Sequence, residues 1–144
     1  MSRKIIDIDK LPADTQSDII DSLADVVPEL SGMSHEEVRQ NLIGLAEPPP
    51  VILTTVNPVK MKAQFGSNRA TSKAAIEKLK NLLLRGINLD PILISHGKFL
   101  DGGHRVMAYF EAGFDTMPAV DIGHLIKMDW GKWLAGEKVV FKLN

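Results

Sequence analysis

The sequence predicts an α/β fold: a small mixed sheet with helices packed on it and a helical N-terminal addition. Three stretches carry that expectation. Pro91-Ile92-Leu93-Ile94-Ser95 is an apolar, β-branched run, and His96-Gly97-Lys98 reads as the turn of a hairpin returning through Phe99-Leu100. The next stretch, Leu100-Asp101-Gly102-Gly103-His104-Arg105-Val106-Met107-Ala108-Tyr109, reads as a strand end, a tight glycine turn and a helix that opens with His and Arg. Its apolar face of Val106, Ala108, Tyr109 and Phe110 ends at Gly113, a residue type suited to follow a helix. Third, a strong helical stripe of Ile76, Leu79 and Leu83 is capped by Thr71 or Ser72 and runs to Arg85, with Gly86 after it.

The chain divides into three parts of one domain, at 1–50, 51–122 and 123–144. In the first, Ile19, Ile20, Leu23 and Val26 or Val27 recur at helical spacing from Ala13, and Pro28 stops the run. Ser34-His35-Glu36-Glu37 fits a capping box, opening a second helix with Val38, Leu42, Ile43 and Leu45 on one face. The two helices predict a hairpin packed on the core, ended by the extended connector Pro48-Pro49-Pro50.

The core begins with Val51-Ile52-Leu53-Thr54-Thr55-Val56, a β-rich strand stopped by the turn Asn57-Pro58. Lys60 and Lys62 follow as exposed turn lysines, within reach of a phosphate only if the turn leans that way. Gln64 to Ala70 is polar and reads as a loop. In the last part, Ile126, Trp130, Trp133 and Leu134 are spaced like one helix face, a pattern of core or subunit contact, and Val139-Val140-Phe141 suggests a final short strand.

Composition limits the function. The 144 residues are 44% hydrophobic and 24% charged, ordinary for a globular domain with a real core. The net charge of −1 supplies no overall basic field for nucleic acid. Without cysteine there is no disulfide, thiolate zinc site or nucleophilic sulfur. No pair of histidines has the i, i+4 spacing of a helical zinc site. No signal-peptide core or bilayer-length apolar run is present, so the expected location is cytoplasmic and no membrane partner is expected.

The chemistry concentrates at Gly102, Gly103, His104 and Arg105. A helix N-terminus offers unpaired N–H groups and partial positive charge, and glycine lets an anion approach the backbone. Arg adds a planar fork and His a further donor, so phosphate is the expected ligand. The same residues also suit an ordinary tight β–α turn, with His104 as a cap and Arg105 a solvated charge. His96, Asp121 and His124 complete the titratable set near the hairpin and the last strand.

From about Val56 to Ile122, roughly half of the chain, the order of elements resembles the ParB/sulfiredoxin superfamily. The resemblance is carried by Ile76-Glu77-Lys78-Leu79 with Leu83-Leu84-Arg85-Gly86, by Asp90-Pro91-Ile92-Leu93-Ile94, and by Asp101-Gly102-Gly103-His104-Arg105. Glu111-Ala112-Gly113 and Met117-Pro118-Ala119-Val120-Asp121-Ile122 close it. The motif is similar to the DGHHR of free-serine kinases, the FGGCHR of sulfiredoxins and the GERR of ParB proteins. Gly103 stands where sulfiredoxins carry their reactive cysteine, which excludes thiol-based sulfinic acid reduction. Gly103, His104 and Arg105 replace the Glu and two Arg of ParB, so CTP specificity does not carry over. Residues 123–144 are too short for the helix-turn-helix domain of ParB.

The resemblance implies a nucleotide-binding domain, with ATP, CTP or another nucleotide as ligand and Mg²⁺ as its companion. Asp101 would then hold Mg²⁺ or accept a proton in catalysis, with His104 beside it, although Asp before Gly-Gly also makes an ordinary Asx turn. The helix from residue 73 contributes nucleotide contacts in the superfamily, which adds Arg69, Lys73 and Lys78 as secondary candidates. Three functions stay open. They are an ATP-dependent phosphotransferase or nucleotidase, a non-catalytic nucleotide-gated module, and a ParB-like nuclease or DNA-binding protein. The module would engage a protein partner or a second copy through its N-terminal helices or the Trp130/Trp133 region. The mild acidity disfavours DNA.

Overall fold

The structure is a computed structural model, described here over residues 3–65 and 72–143. Arg69 and the alternative cap Thr71 lie outside the described residues, as does most of the expected loop 64–70. Five strands form one sheet: β1 (Lys4–Asp7), β2 (Pro50–Val56), β3 (Ile92–Ser95), β4 (Lys98–Asp101) and β5 (Met117–Asp121). Their spatial order is β1-β2-β5-β3-β4, with β3 and β5 parallel and the other neighbours antiparallel. The fold is therefore a mixed α+β sheet with helices on it, as the sequence predicts.

Alternation along the central strands explains why both faces are covered. Ile92 and Ile94 of β3, with Met117 and Ala119 of β5, join one buried cluster; Leu93 and Val120 join the other. A strand apolar on both sides needs helices on both sides. Three helices cover the first face: α3 (Pro58–Phe65), α4 (Lys73–Leu84) and α5 (Gly103–Glu111), through Met61, Leu83, Val106, Ala108 and Tyr109. The second face is covered by α1 (Ala13–Val26), α2 (His35–Gln40), α6 (Gly123–Lys127) and α7 (Trp130–Leu134). Full burial of each Leu or Ile there is worth about 1.5–3 kcal/mol relative to exposure.

Several local expectations are met atom by atom. The Ser34 hydroxyl accepts the Glu37 N–H and the Glu37 carboxylate accepts the Ser34 N–H, each at 3.1 Å. The Ser72 hydroxyl accepts the Ala75 N–H at 3.2 Å, capping α4. His96 (φ 49°) and Gly97 (φ 81°) make the doubly left-handed turn that a two-residue hairpin requires. The α1–α2 hairpin is present, with Arg39 Nη2 donating to Ser17 Oγ at 2.9 Å.

Other expectations are corrected. Residues 1–50 are not helical alone: β1 adds an edge strand to β2, pairing Ile5 with Ile52. Their core side chains Ile8, Ile19, Ile20 and Leu23 share one cluster with Val51, Leu93 and Val120. The helix from His35 ends at Gln40, so Leu42, Ile43 and Leu45 lie beyond it. Asn57-Pro58 starts α3 instead of turning the chain. The Asn57 side chain caps it, accepting the Val59 N–H at 2.8 Å, and Pro58 supplies a first helical residue that needs no donor. Gln64 and Phe65, expected in a loop, finish that helix.

The face Ile126–Leu134 is split between α6 and α7, with Asp129 capping the second. Val139–Phe141 adds no strand. Phe141 packs its ring on Trp133 and His124, with centroids at 5.8 and 6.1 Å. Trp130 is fully buried and donates its Nε1–H to Leu125 O at 2.8 Å, so it is core and not a partner surface. No helix among the described residues is long and apolar enough to cross a membrane.

Candidate functional site

Between the last residue of β4, Asp101, and the first of α5, Gly103, there is a single residue. Gly102 makes the reversal with φ 114° and ψ 34°, a backbone region closed to most side chains. A Cβ there would lie 2.6 Å from Cγ2 of Ile92, so the position is closed on steric grounds as well. The turn delivers the first residues of α5 to a cleft of about 780 Å³ lined by Asp101, Gly102, Gly103, His104 and Arg105. No side chain caps the helix, and its first intrahelical bond runs from Val106 N–H to Gly102 O at 3.0 Å. Its leading amides and the positive end of its dipole therefore face that cleft.

Hydrogen bonds hold the side chains of His104 and Arg105 at the opening. His104 is exposed, and its Nε2 accepts the Ser72 backbone N–H at 3.1 Å, joining the start of α5 to the start of α4. Because an amide can only donate, neutral His104 carries its hydrogen on Nδ1. Arg105 points across the cleft. Its Nη1 donates to Pro91 O at 2.7 Å and Asp90 O at 3.3 Å, and its Nη2 donates to Asp18 Oδ2 at 3.1 Å. Asp18 comes from α1, far away in sequence. Burial raises its carboxyl above the usual range; Arg105 pulls it back down, and the nearby Asp101 pushes it up again. With Asp14 and Asp90 also on the lining, carboxylates outnumber cations in the cleft.

The structure brings together Asp101, Gly102, Gly103, His104 and Arg105. It leaves the secondary lysines apart: Lys73 and Lys78 are exposed on α4 and do not line the cleft. The Lys62 ammonium lies 4.7 Å from the centre of the Phe110 ring, a cation–π seat. His96, Asp121 and His124 gather round a different cavity of about 260 Å³. There Asp121 accepts the backbone N–H groups of His96, Gly97 and Gly123 at 2.9–3.1 Å, a scaffold for two turns. His124 is buried, with Nε2 against Pro50 O at 2.6 Å, and burial lowers its pKa.

Asp18 is the site residue that sequence reading missed. Asp14, Ser17, Asp18 and Asp21 do form a polar stripe at helical spacing opposite Ile19, Ile20 and Leu23, but nothing local shows what that stripe faces. Among the described residues, no three acidic or histidine side chains converge closely enough to hold a metal ion by themselves.

No protein-family model matches this chain, and no curated protein matches it. Among solved structures, the Pnob8-like ParB-N domain is similar to 49% of this chain, at 18% identity with a TM-score of 0.35. That stretch spans only 29% of the other chain's length. The likeness brings no family, ligand or activity to this chain.

Proposed function

We propose that the cleft at the start of α5 binds the phosphate group of a nucleotide that arrives with Mg²⁺. The observation that carries this reading is Gly102, whose left-handed backbone holds an uncapped nine-residue helix with its N-terminus open to the cleft. The Gly103, His104 and Arg105 amides supply donors, His104 adds Nδ1–H, and Arg105 adds Nη2. A bare polyanion would meet Asp14, Asp18, Asp90 and Asp101. A cation carried on the phosphates offsets that repulsion, and Mg²⁺ commonly takes one or two protein carboxylates and fills its shell with water and phosphate oxygens. Asp101, next to the glycine turn, is the residue assigned to that ion or to the proton of an attacking hydroxyl. Phosphoryl transfer depends mainly on positioning and charge neutralisation, so these groups suffice for a phosphotransferase or nucleotidase. The same carboxylates disfavour a nucleic-acid backbone.

Calorimetric titration with ATP, CTP, GTP and ADP, with and without Mg²⁺, tests the proposal. Binding that needs Mg²⁺ and weakens in His104→Ala is expected. Turnover lost in Asp101→Asn with binding retained would make the site catalytic. Absence of binding by the folded wild type, and also by Asp18→Asn with its less acidic cleft, would contradict it.

A further inference from the structure

Arg105 has more partners than a ligand-free phosphate clamp needs. Its Nη1 is committed to backbone, donating to Pro91 O at 2.7 Å and Asp90 O at 3.3 Å, which fixes the guanidinium plane against the loop before β3. Nη2 is the nitrogen left facing the cleft, and its partner is Asp18 Oδ2 at 3.1 Å. The pair is only partly shielded, with the two side chains 17% and 30% exposed. An anion seated at the uncapped end of α5 would want the same nitrogen that Asp18 now holds. We infer that Asp18 is an internal competitor of the phosphate, latching the cleft until an incoming phosphate oxygen displaces its carboxylate from Arg105 Nη2. This regulation rests on the phosphate reading of the cleft.

Three observations support displacement over a permanent bridge. Burial is the largest influence on the Asp18 carboxylate, and with the neighbouring acids it keeps the pKa raised despite Arg105. Asp101 adds repulsion from the same cleft. The backbone of α1 is fixed, because Ile19, Ile20 and Leu23 are buried in the core, so release needs only a side-chain rotation toward solvent. A phosphate that takes over Nη2 also gains the α5 amides, which the Asp18 carboxylate does not touch. The latch sets a threshold: affinity falls by the fraction of molecules in which Nη2 is free.

The test is the affinity of the full chain for Mg²⁺–ATP, and separately for inorganic phosphate, in wild type, Asp18→Asn and Asp25→Asn. Asp25 is an exposed acid on the same helix and does not line the cleft, so its substitution removes equal charge without touching Arg105. Asp18→Asn is expected to bind about tenfold more tightly than wild type, or to bind where wild type shows nothing, with Asp25→Asn unchanged. Asp18→Ser is the second variant should Asn destabilise the chain, and the same tightening is expected. Wild-type binding that Asp18→Asn leaves equal or weakens overturns the latch and leaves the phosphate site standing. An equal gain in Asp25→Asn also overturns it, since bulk charge would then explain the effect. Binding by none of the proteins removes the phosphate site and the latch together.

Discussion

Gly102 lies against Ile92 so closely that a single methyl group on its Cα would come within 2.6 Å of the Ile92 Cγ2 atom. Ile92 is fully buried in β3, with no room to retreat. The glycine that opens the cleft is thus also the one that lets α5 pack on the sheet. Gly102→Ala combines a left-handed backbone with that overlap and is expected to cost about 2–4 kcal/mol. Urea denaturation of the variant checks the figure. Alanine tolerated within a few tenths of a kcal/mol would mean that the turn adopts another geometry.

Arg105 holds the loop before β3 as well as the cleft. Lysine there keeps the charge but cannot reach Pro91 O, Asp90 O and Asp18 from one planar fork. Arg105→Lys is therefore expected to lose about 1–3 kcal/mol of stability, read from the denaturation midpoint.

His124 makes stability pH-dependent. Its Nε2–H donates to Pro50 O, and its buried Nδ1 has no partner, so the folded chain holds the ring neutral. Burial lowers the folded pKa below the ordinary 6.5, and neighbouring His96 lowers it further, outweighing the Pro50 bond and Asp121. Below 6.5 the unfolded chain takes up a proton that the folded chain refuses. The contribution is thus full above that pH and is lost as pH falls through the folded value. Urea midpoints measured from pH 7.5 downward should fall more steeply in wild type than in His124→Gln. The comparison also cancels Asp18, whose raised carboxyl acts with the opposite sign. Parallel curves would contradict the assignment.

Trp130 anchors the C-terminal helices to the core. Trp130→Ala is expected to cost about 3–5 kcal/mol. Trp130→Phe keeps most of the packing but leaves Leu125 O without its indole donor, costing about 1–3 kcal/mol. Thermal unfolding of both variants separates the two contributions.

What was legible in the sequence was local. The His96-Gly97 turn, the Ser34–Glu37 box, the Ser72 cap and the Gly102 reversal each depend on a few adjacent residues whose backbone preferences leave little choice. Asn57-Pro58 shows how such a signal divides: the same pair that starts a turn also caps a helix, and the packing of Met61 into the core decides for the helix. β1 was hidden because Lys4–Asp7 is a short, mostly exposed edge strand that gains its order from β2, far along the chain. Trp133 illustrates the same limit, since the Asn41 carbonyl that takes its Nε1–H lies 92 residues away. The Asp18–Arg105 pair spans 87 residues, and no periodicity reports it. The glycine turn of the site could be read from the chain; the acid opposite it could not.

The central claim is that a phosphate group sits at the N-terminus of α5. Its most direct test is a ¹H–¹⁵N NMR titration of the chain with Mg²⁺–ATP, following individual amides. The account predicts large, saturable shifts at Gly103, His104 and Arg105, with smaller changes at Asp18 as its carboxylate moves. Saturable shifts confined to the exposed face of α4 around Lys73 and Lys78, or no shifts at the three α5 amides, would contradict it.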